Sequence, residues 1–343
     1  MTIIAEDFYA LSPDDQLERL HQLAHVALDQ WHGTFERVTP VKYRENAVFS
    51  AYDGDGRRFA LRIHRYGYHL DAALRSELLW MQELAAHGVQ VPPVVPTRDG
   101  ATLAMIECPG VPEVRRVDML EWLAGEPIGT SEEGVTASGA AVGPLYERIG
   151  HLAARVHDQV ASWNCPADFT RHAWDLDGLL GSDPVWGRFW ELPSLTSDQQ
   201  RIIEAARERA RADLLAFGTD ADRYGLIHAD FVPENLLDDG QTLRLIDFDD
   251  SGYGWHMFEI ATALYFNLDR PDYPLLRDAL FRGYRSARAL PESHEALLPL
   301  FLFLRGTTYM GWLQTRPETQ TAQEIGPLIV ARTCALAEAY LAG

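Results

Sequence analysis

The sequence predicts an α+β chain with two lobes, a small β-rich lobe followed by a larger and mostly helical lobe. Strand patterns with one or two helices fill the first 120 residues or so. Residues 125–143 are rich in Gly, Ser, Thr and Ala, and almost everything after them repeats apolar residues at helical spacing. We therefore predict two domains, residues 1–122 and residues 123–343.

The first lobe is predicted to begin with a helix over about residues 12–31. Ser12 is a suitable N-cap, Pro13 suits the first helical position, and Asp14 and Asp15 favour the positive end of the helix dipole. Two strands, 47–52 and 57–64, flank an Asp-Gly-Asp-Gly turn typical of a hairpin. A helix over 71–87 follows, then two short strands around Asp99-Gly100 and a strand over 114–120.

The second lobe is predicted to begin with a mobile loop or lid, because residues 125–143 contain almost no large apolar side chain. One later segment, 226–248, has the pattern of β-hairpins. The remaining segments are predicted as helices, at about 144–163, 198–217, 255–267, 274–289, 294–315 and 320–341.

The amino-acid composition excludes some classes of function and partner. The 343 residues are 47% hydrophobic and 23% charged, which is typical of a globular protein, and 30 basic against 50 acidic side chains give a net charge of −20. Such a charge disfavours nucleic acid and anionic membranes as partners, and it tolerates a cationic one. The three cysteines are far apart and form no CxxC pair, and the N-terminus is unlike a signal peptide. We therefore predict a cytoplasmic protein without a membrane span.

One segment combines residues that carry chemistry. His228 and Asp230 follow an apolar strand, a turn with Pro233 brings back Asn235, and a second apolar strand leads to Asp247. Carboxylate and amide oxygens are ligands that Mg²⁺ prefers, and Mg²⁺ keeps further positions for water and phosphate. The alternative is a surface hairpin, since Asp, Asn and Pro are common in turns.

The pattern His-x-Asp-x4-Asn followed by Asp-Phe resembles the catalytic loop and metal-binding motif of protein-kinase-like enzymes. Its Asp-Phe-Asp-Asp form is similar to the aminoglycoside phosphotransferase and choline kinase superfamily, which includes type II homoserine kinase and a bacterial stress-response kinase. The resemblance implies a bilobal kinase-like fold whose first lobe binds nucleotide. It further implies ATP and Mg²⁺, with Asp230 as catalytic base, Asn235 and Asp247 as metal ligands, and His228 and Glu259 as supports of the loop.

The same resemblance assigns nucleotide-binding residues in the first lobe. Strand alternation puts Ala60 and Arg62 on one face, where the family has a small residue against adenine and a cation, usually Lys, that reaches the phosphates. Glu77 interrupts an apolar helix stripe and would pair with Arg62. Asn46 lies in the segment that replaces a glycine-rich loop, and backbone near Glu121 and Leu123 would bind the base.

Several assignments have structural alternatives. Arg62 could instead lie on an exposed strand, Glu77 could lie at a helix edge, and Glu259 could face the solvent. Asp249 would share a strand face with Asp247 and make a second metal or substrate contact, or else lie in a polar turn that ends the strand.

We expect an ATP-dependent phosphotransferase that acts on a hydroxyl of a small molecule, such as an aminoglycoside-like antibiotic or an amino alcohol like homoserine or choline. A Ser/Thr protein kinase of the stress-response type and a nucleotide-binding pseudokinase are the alternatives. We expect a monomer or homodimer. The acceptor would lie against residues 165–195 and 255–315, whose acidic and aromatic side chains suit a cationic alcohol: Asp175, Asp177, Trp186, Tyr265 and Trp312.

Overall fold

The computed structural model describes residues 8–343, without the side chains of residues 320 and 321. The prediction that the N-terminus is unlike a signal peptide concerns mainly residues 1–7, which lie outside the described residues. Internal contacts divide the chain into two compact units. Unit 1 is residues 1–124 with 166–170, and unit 2 is residues 125–165 with 171–343.

Unit 1 contains an antiparallel five-stranded sheet in the order β1-β2-β3-β5-β4. The predicted hairpin is present as β2 and β3. The predicted cap is also confirmed, since the Ser12 hydroxyl accepts a hydrogen bond from the Asp15 amide at the start of helix α1. The elements are α1 Pro13–Ala27, β1 Phe35–Tyr43, β2 Ala47–Asp53, β3 Arg58–Ile63, α2 Asp71–Ala86, β4 Ala104–Ile106 and β5 Arg115–Glu121.

Two details of this sheet differ from the prediction. Strand β1 was not predicted, because most of its residues are exposed and do not alternate, and its pairing with β2 is irregular. The two short strands expected around Asp99-Gly100 are reduced to β4 and an isolated bridge between Val94 and Leu120.

Unit 2 is mainly helical. Helices α3 and α7 cross so closely that a Cβ at Gly150 would lie 2.0 Å from the Leu280 carbonyl oxygen, and one at Gly283 would lie 1.9 Å from that of Glu147. The helices are α3 Val142–Ser162, α4 Leu176–Leu180, α5 Ser197–Phe217, α6 His256–Tyr265, α7 Tyr273–Arg285, α8 Glu292–Glu295, α9 Leu298–Thr315 and α10 Gln320–Ala342.

Unit 2 also contains three small sheets, ordered β10-β13-β9, β12-β11-β6 and β7-β8. They hold the segments that carry the predicted site. Their strands are β6 Glu126–Pro127, β7 Gly129–Thr130, β8 Gly134–Val135, β9 Ala173–Trp174, β10 Tyr224–Ile227, β11 Leu236–Asp238, β12 Leu243–Leu245 and β13 Gly252–Trp255.

The prediction of a mobile loop or lid over residues 125–143 did not include the short strands found in the first half of this segment. β6 pairs with β11, and β7 pairs with β8. The Asn267 side chain accepts a hydrogen bond from the Val135 amide at 3.0 Å, and Arg270 donates to the Val135 and Ala137 carbonyls. Composition misled here because the order comes from partners far along the chain.

One helical segment of the described chain, Ala322–Ala342, is long and apolar enough to cross a membrane by length and composition alone. This segment belongs to α10, which packs against α9 and α5. A core helix passes the same test.

Candidate active site

The loop after β10 has a strained backbone held from two sides. Ala229 has a φ of +64°, in the left-handed region that a residue with a Cβ seldom adopts. The Glu259 carboxylate accepts hydrogen bonds from the amides of His228 at 3.0 Å and Ala229 at 2.7 Å. On the other side, Arg305 donates to the Ala229 carbonyl at 3.0 Å. The strained conformation is therefore fixed by two buried side chains.

Glu259 thus lies where the resemblance implies a support of the loop. Its side chain is fully buried on α6, which excludes the solvent-facing alternative. Burial raises its pKa, against the opposing effects of His228 and of the two amide hydrogen bonds.

Both carboxylate oxygens of Asp230 are bound. Arg305 Nη2 donates to Asp230 Oδ1 at 2.8 Å, and Asn235 Nδ2 donates to Oδ2 at 2.8 Å. The Asp230 side chain remains 22% exposed. Since each carboxylate oxygen accepts more than one hydrogen bond, the carboxylate can still accept one from a hydroxyl.

His228 connects this loop to the strand that leads to Asp247. Its Nε2 donates to the Ile246 carbonyl at 3.0 Å, and its Nδ1 accepts from the Asp230 amide at 3.2 Å. Burial lowers the His228 pKa, which agrees with the neutral ring that this pattern requires. The Ile246 amide donates to the Asn235 carbonyl at 3.0 Å. Asp230, Asn235 and the residue before Asp247 are therefore joined by hydrogen bonds.

The side-chain oxygen atoms of Asn235 and Asp247 are suited to binding a divalent cation. The Asn235 amide nitrogen is used on Asp230, so its amide oxygen is the end suited to a metal ion. Asp247 has a φ of +66° and follows Leu245, the end of β12, by two residues. In residues 8–343, no cluster of three or more His, Cys, Asp or Glu side chains could hold a metal ion. Two hard oxygen ligands are consistent with Mg²⁺, which keeps water and phosphate as further ligands.

The expected strand face shared by Asp247 and Asp249 is wrong, because β12 ends at Leu245 and Asp249 lies in a turn. Arg171 holds this turn by donating to the carbonyls of Asp249 and Ser251. Burial, together with the charges of Asp230, Asp249 and Asp247, raises the pKa of the following Asp250 well above its usual range. Asp249 as a metal or substrate contact remains a prediction.

In unit 1, Arg62 is buried and paired with Glu77, as the resemblance implies. Arg62 Nη1 donates to Glu77 Oε1 at 2.9 Å, and Glu77 is fully buried, so neither alternative applies. Sequence analysis did not predict a second partner for Arg62. Asp118, on β5, accepts from Arg62 Nε and Nη2 at 2.8 Å each, and also from His64 Nε2 at 2.7 Å.

The other predicted nucleotide residues are placed as follows. Ala60 is half-buried on β3 opposite Leu120, and the Asn46 side chain accepts from the Arg65 amide at 3.1 Å. The Glu121 amide donates to the Pro93 carbonyl at 2.9 Å, so this donor is already used inside unit 1. Leu123 is half-buried beyond the end of β5.

Sequence reasoning also missed Arg305 and its neighbour Tyr309, both on α9. Arg305 is fully buried, its guanidinium lies 4.3 Å from the Tyr309 ring centre, and it donates to the Tyr309 hydroxyl at 2.6 Å. A lone arginine within an apolar helix was the available signal. Trp186 and Tyr265, predicted to line the acceptor site, both pack against the Tyr309 ring.

The other predicted acceptor residues have different surroundings. The Asp175 carboxylate caps α4 by accepting from the amides of Asp177 and Gly178, so its role is local. The Trp312 ring lies beneath the guanidinium of Arg316. One further contact was not predicted. The Ser131 hydroxyl, between β7 and β8, donates to the Glu234 carboxylate at 2.7 Å and so joins this segment to the loop that contains Asp230 and Asn235.

An antiparallel sheet with a buried Arg–Glu pair in one unit, and the Asp230–Asn235–Asp247 arrangement in a helical unit, define a kinase-like phosphotransferase. The chain matches the model of the phosphotransferase enzyme family (APH) over residues 37–297. It belongs to this family, and its characterised relatives are kinases that phosphorylate small molecules.

Individual relatives agree with this assignment. The chain is 30% identical to an uncharacterized protein of Deinococcus radiodurans over 79% of this chain and 75% of that one. It is 25% identical to the amicoumacin kinase of Bacillus subtilis, over 82% of this chain and 80% of the relative. Among solved structures, a microcompartment-associated aminopropanol kinase is 33% identical, with a TM-score of 0.81 over 93% of this chain and 97% of that one.

Proposed function

We propose that the protein transfers the γ-phosphoryl group of ATP, with Mg²⁺, to the hydroxyl of a small amino alcohol. The observation that carries the proposal is the Asp230 carboxylate, held by Arg305 and Asn235 next to the strand end that presents Asp247. Such a base and two hard oxygen ligands are the parts that phosphoryl transfer to a hydroxyl requires.

The residues of this chain would act as follows. Asp230 orients the acceptor hydroxyl and accepts its proton as the new bond from oxygen to the γ-phosphorus forms and the bond to the ADP oxygen breaks. Asn235 and Asp247 would hold the Mg²⁺, which neutralises phosphate charge when it is bound. Arg305 and Asn235 fix the carboxylate before the reaction, so little reorganisation is needed.

Two observations support a cationic acceptor. The carboxyl groups of Asp250 and Glu234 lie near Asp230 and Tyr309, and the buried Arg305 interacts with Asp230 and Asp250. A bound ammonium group would favour the ionised form of these crowded carboxyl groups. The solved structure with 33% identity is that of an aminopropanol kinase, which is an amino alcohol kinase by its name.

An acceptor panel tests the proposal. Release of the nucleoside diphosphate, ADP from ATP or GDP from GTP, is measured with Mg²⁺ and aminopropanol, ethanolamine, choline, homoserine or an aminoglycoside. We expect the highest kcat/KM for a short amino alcohol with ATP, and a loss of about 10²–10⁴-fold in kcat for Asp230→Asn.

Three results would contradict it. Wild-type turnover by Asp230→Asn would remove the proposed base. Labelled polypeptides after incubation of the protein with labelled ATP and lysate, without turnover of any panel member, would instead favour the protein-kinase alternative. Stabilisation by Mg·ATP without any transfer would favour a pseudokinase.

A further inference from the structure

The guanidinium of Arg62 faces two buried carboxylates. Arg62 on β3 and Asp118 on β5 are directly paired across the sheet, and Glu77 reaches the same guanidinium from α2. Arg62 is 6% exposed, and both carboxylates are fully buried. In this chain the cation at this position is an arginine, and it has a second carboxylate partner.

Arginine and lysine need different supports. A lysine ammonium is a compact charge that one carboxylate can direct, whereas an arginine carries five N–H donors in a planar fork. With Glu77 alone, on Nη1, the plane of the guanidinium could rotate about that contact. Asp118 binds Nε and Nη2 together, which fixes the plane. Three of the five donors are then used, and two are left for phosphate oxygens.

Asp118 is itself held in place. His64 donates to its Oδ2 at 2.7 Å, so this oxygen is shared between His64 and Arg62. Burial alone would raise the pKa of Asp118, but the charge of Arg62 and the contacts with His64 lower it to about 2. The carboxylate is therefore ionised and oriented throughout the neutral range.

We propose that Asp118 is the positioning residue that allows an arginine to serve as the phosphate-binding cation at position 62. The inference rests on the proposed function, because it takes a nucleotide triphosphate as the ligand of Arg62. It concerns orientation, so it predicts a change in nucleotide binding rather than in the chemical step.

The test is a double-mutant cycle with ATP as the varied substrate and the best acceptor of the panel at saturation. We expect Asp118→Asn to raise KM for ATP about tenfold, with kcat changed less than about threefold. Arg62→Lys is expected to raise KM for ATP by a similar factor. In the Arg62→Lys background, Asp118→Asn should change KM less than about twofold, because lysine does not use the second carboxylate.

A matched control is available on the same strand. Arg116 of β5 forms a two-pronged pair with Asp71 at the start of α2, at 2.7 and 3.1 Å. Asp71→Asn removes a two-pronged Arg–Asp pair that is anchored on the same strand but partly exposed, and it should leave KM for ATP unchanged. Thermal unfolding of each variant checks that unit 1 stays folded. If Asp118→Asn does not fold, Asp118→Glu keeps the charge but displaces it, and the same rise in KM is expected.

The proposal is overturned if Asp118→Asn binds ATP like the wild type, or if its effect is equally large beside Arg62→Lys. It is also overturned if the loss falls on kcat alone. A wild-type protein that turns over no acceptor with ATP would instead contradict the proposed function, so the two failures can be told apart.

Discussion

The orientation of Asp230 depends on a residue 75 positions away. Arg305 is fully buried, and it binds both the Asp230 carboxylate and the carbonyl of the strained Ala229. Arg305 should therefore control the orientation of the proposed base.

We predict that Arg305→Lys lowers kcat at least tenfold, because lysine keeps the charge but cannot bind Asp230, Ala229 and Tyr309 together. The measurement is kcat and KM for the best acceptor. Arg209→Lys, which alters an arginine bound to backbone carbonyls near the C-terminus, is the control and should leave kcat unchanged. A wild-type kcat in Arg305→Lys would show that the orientation of Asp230 does not depend on the arginine fork.

The residues that sequence analysis found and missed differ in how locally they are encoded. Asp230, Asn235 and Asp247 lie within 18 residues of one another, and their spacing alone indicates the chemistry. Glu77 was predicted because it interrupts an apolar stripe. Asp118 contacts Arg62, and Arg305 contacts Asp230, through pairing between distant segments: strand β5 with β3 in unit 1, and helix α9 with the loop after β10 in unit 2. No local spacing predicts such pairings.

At the scale of elements, five of the six predicted helices of the second lobe were found with their ends shifted by a few residues, because amphipathic spacing is a strong signal over 10–20 residues. The sixth, predicted over 294–315, is divided into α8 and α9, and the short helix α4 was not predicted. The short strands of residues 126–135 were not predicted, since two-residue strands carry no periodicity. Their order depends on β11, Asn267 and Arg270, which the sequence does not show to be near.

The crossing of α3 and α7 gives a prediction about stability. A Cβ at Gly150 would lie 2.0 Å from the Leu280 carbonyl oxygen and 2.8 Å from the Tyr284 amide nitrogen, so the helices must separate. We predict that Gly150→Ala lowers the free energy of unfolding by about 1–3 kcal/mol. Chemical denaturation of the full chain measures it.

Gly143 offers a control in the same helix, because a Cβ there would meet only the Leu275 side chain at 3.9 Å. Gly143→Ala should stabilise the helix by up to about 1 kcal/mol. Equal stabilities for the two variants would show that α3 and α7 do not require the close approach at Gly150.

At the scale of the whole molecule, the two units carry buried titratable groups of different kinds. Unit 2 buries His157, His228 and His256, and burial lowers the pKa of all three. The His157 and His256 rings also stack with centres 4.2 Å apart. Unit 1 buries Asp118, whose pKa is lowered to about 2.

These pKa shifts predict that the histidines of unit 2 and Asp118 of unit 1 lose their stabilising effects in different pH ranges. A histidine with a lowered pKa in the folded state leaves the unfolded chain as the better proton acceptor, so its stabilising effect is complete above about pH 6.5 and is lost as the pH falls below it. Asp118 contributes stability above about pH 4, which is lost only as the pH falls through about 2.

We therefore predict that each buried histidine lowers the stability of unit 2 by up to about 1.4 kcal/mol per pH unit between pH 6.5 and 5, while unit 1 keeps the contribution of Asp118. The buried carboxyl groups of Glu259 and Asp250, whose pKa values are raised, act in the opposite direction within unit 2. Urea unfolding at several pH values, with hydrogen exchange to distinguish the units, measures this difference. His157→Gln should flatten the pH dependence of unit 2, and His151→Gln, at an exposed position of the same helix, should not. If unit 1 loses its protection first on acidification, the buried histidines do not govern the acid response of this chain.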